Sequence, residues 1–109
     1  MVLEATRIRP EDGGIFELHD GGTAAPGSFQ LDEGRDGMLY VCPCGCGRLG
    51  GLRFRTDRKT ERPSWIWDGN EDRPTLSPSI RHRPDPDGET PDLRCDWHGF
   101  LKAGVWTSA

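Results

Sequence analysis

The sequence predicts a mainly β fold, a small sandwich or partly open barrel, in a single domain spanning residues 1–109. Three observations carry that expectation. Fifteen Gly and nine Pro interrupt the chain before any window sustains apolar residues at three- and four-residue spacing, so helical periodicity is nearly absent. Short runs of β-branched and aromatic residues recur between turn residues, as in small sandwiches and open barrels. The 109 residues suffice for one core, and Leu, Ile, Val and Phe number only 20, with four Trp supplying extra apolar area. A domain so lean in aliphatic residues needs a staple.

Taken in order, the candidate strands are Leu3 to Ile8, Gly14 to His19, Met38 to Cys42, Gly50 to Thr56, Ser64 to Asp68, Thr75 to Ile80, Leu93 to Cys95, Gly99 to Lys102 and Val105 to Thr107. Asp20 to Gly37, rich in Gly, reads as an irregular connection carrying at most one helical turn, and His82 to Pro91 as a second long loop. Ala103-Gly104 is placed to join the last two strands by a tight turn. Trp65 and Trp67 alternate with Ile66, so both rings point to one face, where they pack into the core. Pro74-Thr75-Leu76-Ser77-Pro78-Ser79-Ile80 cannot occupy a central ladder position and reads as an edge or extended rail.

The staple is read from the cysteines. Cys42-Pro43-Cys44-Gly45-Cys46-Gly47 and, some fifty residues later, Cys95-Asp96-Trp97-His98 hold all four of them. Met1 to Asp12 carries Glu4, Arg7, Arg9, Glu11 and Asp12 and has no apolar stretch for a signal peptide, which points to a reducing, cytoplasmic location. Close-spaced thiolates with one imidazole in such a compartment suit Zn2+ rather than disulfides. The proline fixes one dihedral while Gly45 and Gly47 free others, so the turn can direct neighbouring thiolates to one ion. Cys42, Cys44, Cys46, Cys95 and His98 offer five donors where tetrahedral zinc takes four. The reading takes Cys95 and His98 with Cys46 and one of Cys42 and Cys44.

A saturated ion is structural, whereas an open position allows hydrolysis through bound water. The surplus thiolate, Cys44 in particular, is a candidate nucleophile. Candidate proton shuttles are Glu17, His19, Asp68, His82 and Asp96, with Glu17 and His19 on one face of the expected second strand. Ser77 and Ser79 project to one side of the proline rail, toward local backbone, the site or a substrate, and Ser79 joins Cys44 and Asp96 among the candidate catalytic residues. No stretch approaches the roughly 20 apolar residues of a membrane span. The net charge of −4 disfavours a general nucleic-acid binder, with a local exception in the basic run from Arg48 to Arg62.

Tyr40 to Gly47, the Trp65 strand, Pro74 to Ile80, and Cys95-Asp96-Trp97-His98-Gly99-Phe100-Leu101 with Gly104 and Trp106 resemble a family of small bacterial and phage proteins. That family is labelled a domain of unknown function, and some members carry the misleading name ammonia monooxygenase. The similarity spans roughly residues 38 to 107. It implies a zinc protein using Cys42, Cys44, Cys46, Cys95 and His98, with Ser79 beside the site. Some members are encoded next to ubiquitin-like proteins and their conjugating machinery, which implies a peptidase that processes or removes the ubiquitin-like protein. Many relatives have His in place of Tyr40 and Ser in place of Trp97. The expectation is therefore a zinc-dependent peptidase or isopeptidase acting on a ubiquitin-like partner or its conjugates. The alternatives are a non-catalytic adaptor with a structural zinc site and a nucleic-acid module using the basic run.

Overall fold

The computed structural model describes residues 2–55, 64–82 and 96–109. The expected strand Leu93 to Cys95, most of the loop after His82, and the basic run beyond Arg55 lie outside those residues. The described strands are β1 (Val2–Glu4), β2 (Phe29–Leu31), β3 (Gly37–Val41), β4 (Leu49–Arg53), β5 (Ile66–Trp67), β6 (Leu76–Ser77), β7 (Ile80–His82), β8 (Trp97–Lys102) and β9 (Val105–Ser108), with one short helix, α1 (Ile15–Asp20). They form three antiparallel sheets, ordered β1-β9-β8-β7, β2-β3-β4 and β5-β6. The fold is mainly β, as the composition predicts, and it is open rather than a closed barrel.

Alternation along the strands explains how the sheets meet. On β8 the buried residues are Trp97, Gly99 and Leu101, while His98 and Lys102 face solvent. Ile80, Trp97, Leu101 and Trp106 from the first sheet, Phe29, Leu31, Met38, Tyr40 and Leu52 from the second and Leu76 from the third share one core. Trp106 lies at its centre, edge-on to Trp97 at 5.6 Å and tilted against Tyr40 at 5.3 Å. Its indole N–H donates to the Gly27 carbonyl at 2.9 Å, so the polar edge of the ring is satisfied. Trp65 and Trp67 pack against this core while Ile66 is exposed, as their alternation predicts.

Three local expectations are corrected. Gly14 to His19 forms no strand; Ile15–Asp20 is a helix whose Ile15 and Leu18 pack on Val41, Leu39 and Leu49. Glu17 and His19, two residues apart, therefore point about 200° apart instead of sharing a face. The stretch Asp20 to Gly37 contains β2, where Phe29 and Leu31 are buried opposite Tyr40 and Met38. Thr75 to Ile80 is not one strand: the chain breaks at Ser77-Pro78, a cis bond, and β6 and β7 join different sheets.

Candidate functional site

The cysteine loop connects β3 to β4. The Cys42 N–H donates to the Arg48 carbonyl at 2.9 Å and the Gly45 N–H to the Cys42 carbonyl at 3.2 Å, so the loop is closed twice by its own backbone. Gly45 and Gly47 sit at φ 91° and 83°, where a side chain is strained although nothing stands within 4 Å of an added Cβ. Backbone angle, not space, selects glycine here. The three sulfurs of Cys42, Cys44 and Cys46 lie within 4.8 Å of one another, and none of the three is in a disulfide. Four Zn–S bonds of about 2.3 Å at tetrahedral angles separate sulfurs by about 3.8 Å. Cys42 and Cys44, at 3.4 Å, need only a small adjustment to share an ion. The donor set therefore fits a soft metal, and the whole trio converges rather than the pair expected from the sequence.

The His19 imidazole Nε2 meets the Gly47 carbonyl and so ties α1 to the end of this loop. Cys95 lies outside the described residues. His98 is not part of the thiolate group.

Its position is decided by the β7–β8 ladder. Arg81 is paired with His98 and Ile80 with Gly99, so Ser79, one residue ahead of β7, is a diagonal neighbour of His98 on the solvent-facing side. The His98 Nε2 lies 2.9 Å from the Ser79 hydroxyl oxygen. The Trp65 indole N–H donates to the Ser79 carbonyl at 3.1 Å, which fixes the serine's backbone from the core side. Asp96 shares the exposed face with His98 and receives the Arg81 guanidinium in a two-pronged contact, Nε to Oδ1 at 2.9 Å and Nη2 to Oδ2 at 2.8 Å. That hydrogen bonding raises the Arg81 pKa further, so the guanidinium is held protonated. Phe100 stands beside His98, ring centres 6.4 Å apart, with the Lys102 ammonium 5.2 Å from the Phe100 ring.

A serine hydroxyl in hydrogen-bond contact with an imidazole is the minimum arrangement that activates oxygen for attack on a carbonyl. A family model described as "Bacterial ubiquitination-like system serine protease (BubE)" matches residues 17–109. The chain belongs to the BubE family. The match takes in the cysteine loop, Ser79 and His98, and it agrees with the resemblance to proteins of bacterial ubiquitin-like systems. No curated protein and no solved structure matches.

Of the other nominated residues, Asp68 has a structural duty in this BubE-family chain. The Asp68 carboxylate accepts from the Asn70 and Thr75 backbone N–H groups and shapes the turn before β6. Tyr40 and Trp97 are buried in the core. Sequence reasoning missed the Ser79–His98 contact and the Arg81–Asp96 pair, because both follow from a strand register that neither segment encodes alone. Among the described residues, no helix is long and apolar enough to cross a membrane.

Proposed function

We propose that this chain is a serine peptidase that cleaves the peptide or isopeptide bond at the C-terminus of a bacterial ubiquitin-like protein, with Ser79 as nucleophile and His98 as general base. The observation that carries the reading is the 2.9 Å Ser79–His98 contact in a member of a family described as serine proteases. The Ser79 hydroxyl attacks the scissile carbonyl as its proton passes to His98 Nε2, which then gives that proton to the departing amine. Water, deprotonated by the same nitrogen, releases the acyl group and regenerates the hydroxyl. Phe100 forms a wall beside the pair.

Zinc enters as a staple. Cys42, Cys44 and Cys46, with Cys95 as the fourth donor the sequence nominates, would hold it, and it would supply folding free energy of order 10 kcal/mol. In this reading His98 serves Ser79 and not the ion, and zinc dependence acts through the fold.

The test is a fluorophosphonate probe together with a ubiquitin-like protein bearing a short C-terminal extension. Mass spectrometry is expected to find the probe on Ser79, and Ser79→Ala and His98→Ala to abolish both labelling and release of the extension. Metal-dependent cleavage that survives Ser79→Ala would overturn the serine mechanism and return the chemistry to the metal centre. Stable binding of the ubiquitin-like protein with neither labelling nor cleavage would favour the adaptor.

A further inference from the structure

Along the exposed face of the β7–β8 ladder, three side chains fall in a row. Ser79 lies at one end, His98 two residue steps along, and Asp96 two further steps in the same direction, with Arg81 directly across from His98. The imidazole turns Nε2 toward Ser79, and its Nδ1 has no hydrogen-bond partner among the described residues. For Nε2 to accept the serine proton, the neutral ring must carry its hydrogen on Nδ1, a tautomer that an acceptor on that side would hold.

We infer that Asp96 is the positioning residue that completes this site, orienting His98 through Nδ1, and that Arg81 holds the Asp96 carboxylate in place for it. The inference rests on the serine reading above. An ionised carboxylate offers about four lone-pair positions. The Arg81 fork places one donor on each oxygen and so sets the plane of the carboxylate. Arg81 is the right partner because its planar fork fixes both oxygens, whereas a lysine fixes one point. Asp96 stands beyond hydrogen-bond reach of the ring here, and such contacts commonly tighten only when substrate is bound.

The experiment measures the rate at which the fluorophosphonate probe modifies Ser79, normalised to the folded fraction from a thermal melt. Asp96→Asn is expected to slow labelling about tenfold or more with little change in the half-saturating probe concentration. Asp96→Glu, which restores the carboxylate, is expected to recover part of the rate. Arg81→Gln is expected to slow labelling too, and the double variant Asp96→Asn with Arg81→Gln to be no slower than Asp96→Asn alone, since the two act in series. An Asp96→Asn rate within about twofold of the unsubstituted protein overturns the inference, while Ser79 labelling there leaves the serine mechanism standing. A double variant slowed by the product of the single effects also overturns it. If the unsubstituted protein is not modified at Ser79, the serine reading fails first and carries this inference with it.

Discussion

Gly99 separates His98 from Phe100 and pairs with Ile80, the residue after Ser79, so its size sets how closely the two halves of the site approach. A Cβ at Gly99 would stand 2.2 Å from the Thr107 carbonyl oxygen and 2.5 Å from the Trp97 ring, so neighbouring strands would have to give way. Gly99→Ala is therefore expected to cost about 1–3 kcal/mol by overpacking, read from denaturant unfolding. The activity loss should be larger than that stability implies. A shift of about 1 Å between His98 and Ser79 is enough for a hundredfold fall in turnover, and equal losses in folded fraction and rate would contradict this. At this scale the cysteines were legible because three soft donors within five residues of a glycine-rich turn suit a shared metal ion. The serine was not. Ser79 reads as one polar residue on a proline rail, and His98 completes an ordinary Cys-x-x-His spacing; only the antiparallel register joins them.

Elements one or two turns long proved the hardest to read and do much of the positioning. The helix α1 has six residues, too short to establish a 3.6-residue period, and its Phe16 and Leu18, two apart, mimic strand spacing closely enough to mislead. It nevertheless anchors the cysteine loop through His19. His19→Ala is expected to leave the core intact but to weaken zinc retention about tenfold or more in competition with a chelator, the usual scale for losing a contact behind a metal ligand. Unchanged retention would reduce that contact to surface packing. The β8–β9 turn was legible, since Ala103-Gly104 between two alternating runs names its own geometry, and both residues have positive φ, 47° and 74°. An added Cβ at Gly104 would also lie 3.0 Å from the Arg73 Cα. Gly104→Ala is expected to lower stability by about 1–2 kcal/mol, from the left-handed strain alone. A melting temperature within a degree of the parent would refute that account.

The described residues form three small sheets around a core of few aliphatic residues, and the N-terminal segment is held by charge as well as by packing. Arg7, Arg9 and Arg35 converge on Glu71 and Asp72, linking the N-terminal segment to the turn between β5 and β6. The hydrogen bond from Arg7 holds the Asp72 carboxyl below its ordinary value of 3.8. A lowered folded value stabilises above the unfolded one and loses that benefit as pH falls through the folded value. The difference in stability between the parent and Arg7→Ala should therefore be constant near neutrality and shrink only below about pH 4; shrinkage at pH 6 would assign it elsewhere. These exposed pairs are screened by water and cannot replace a staple. Metal removal should accordingly cause a cooperative loss of structure, with serine reactivity falling in step with the folded fraction. Exchange separates a staple from a catalyst. Cadmium is held by thiolates as zinc is, so the cadmium form, once folded, should turn over at the zinc rate within about twofold if no step passes through the ion. A tenfold change in turnover at equal folded fraction, with Ser79 still labelled, would mean that the ion reaches the reacting carbonyl and that the two clusters form one site.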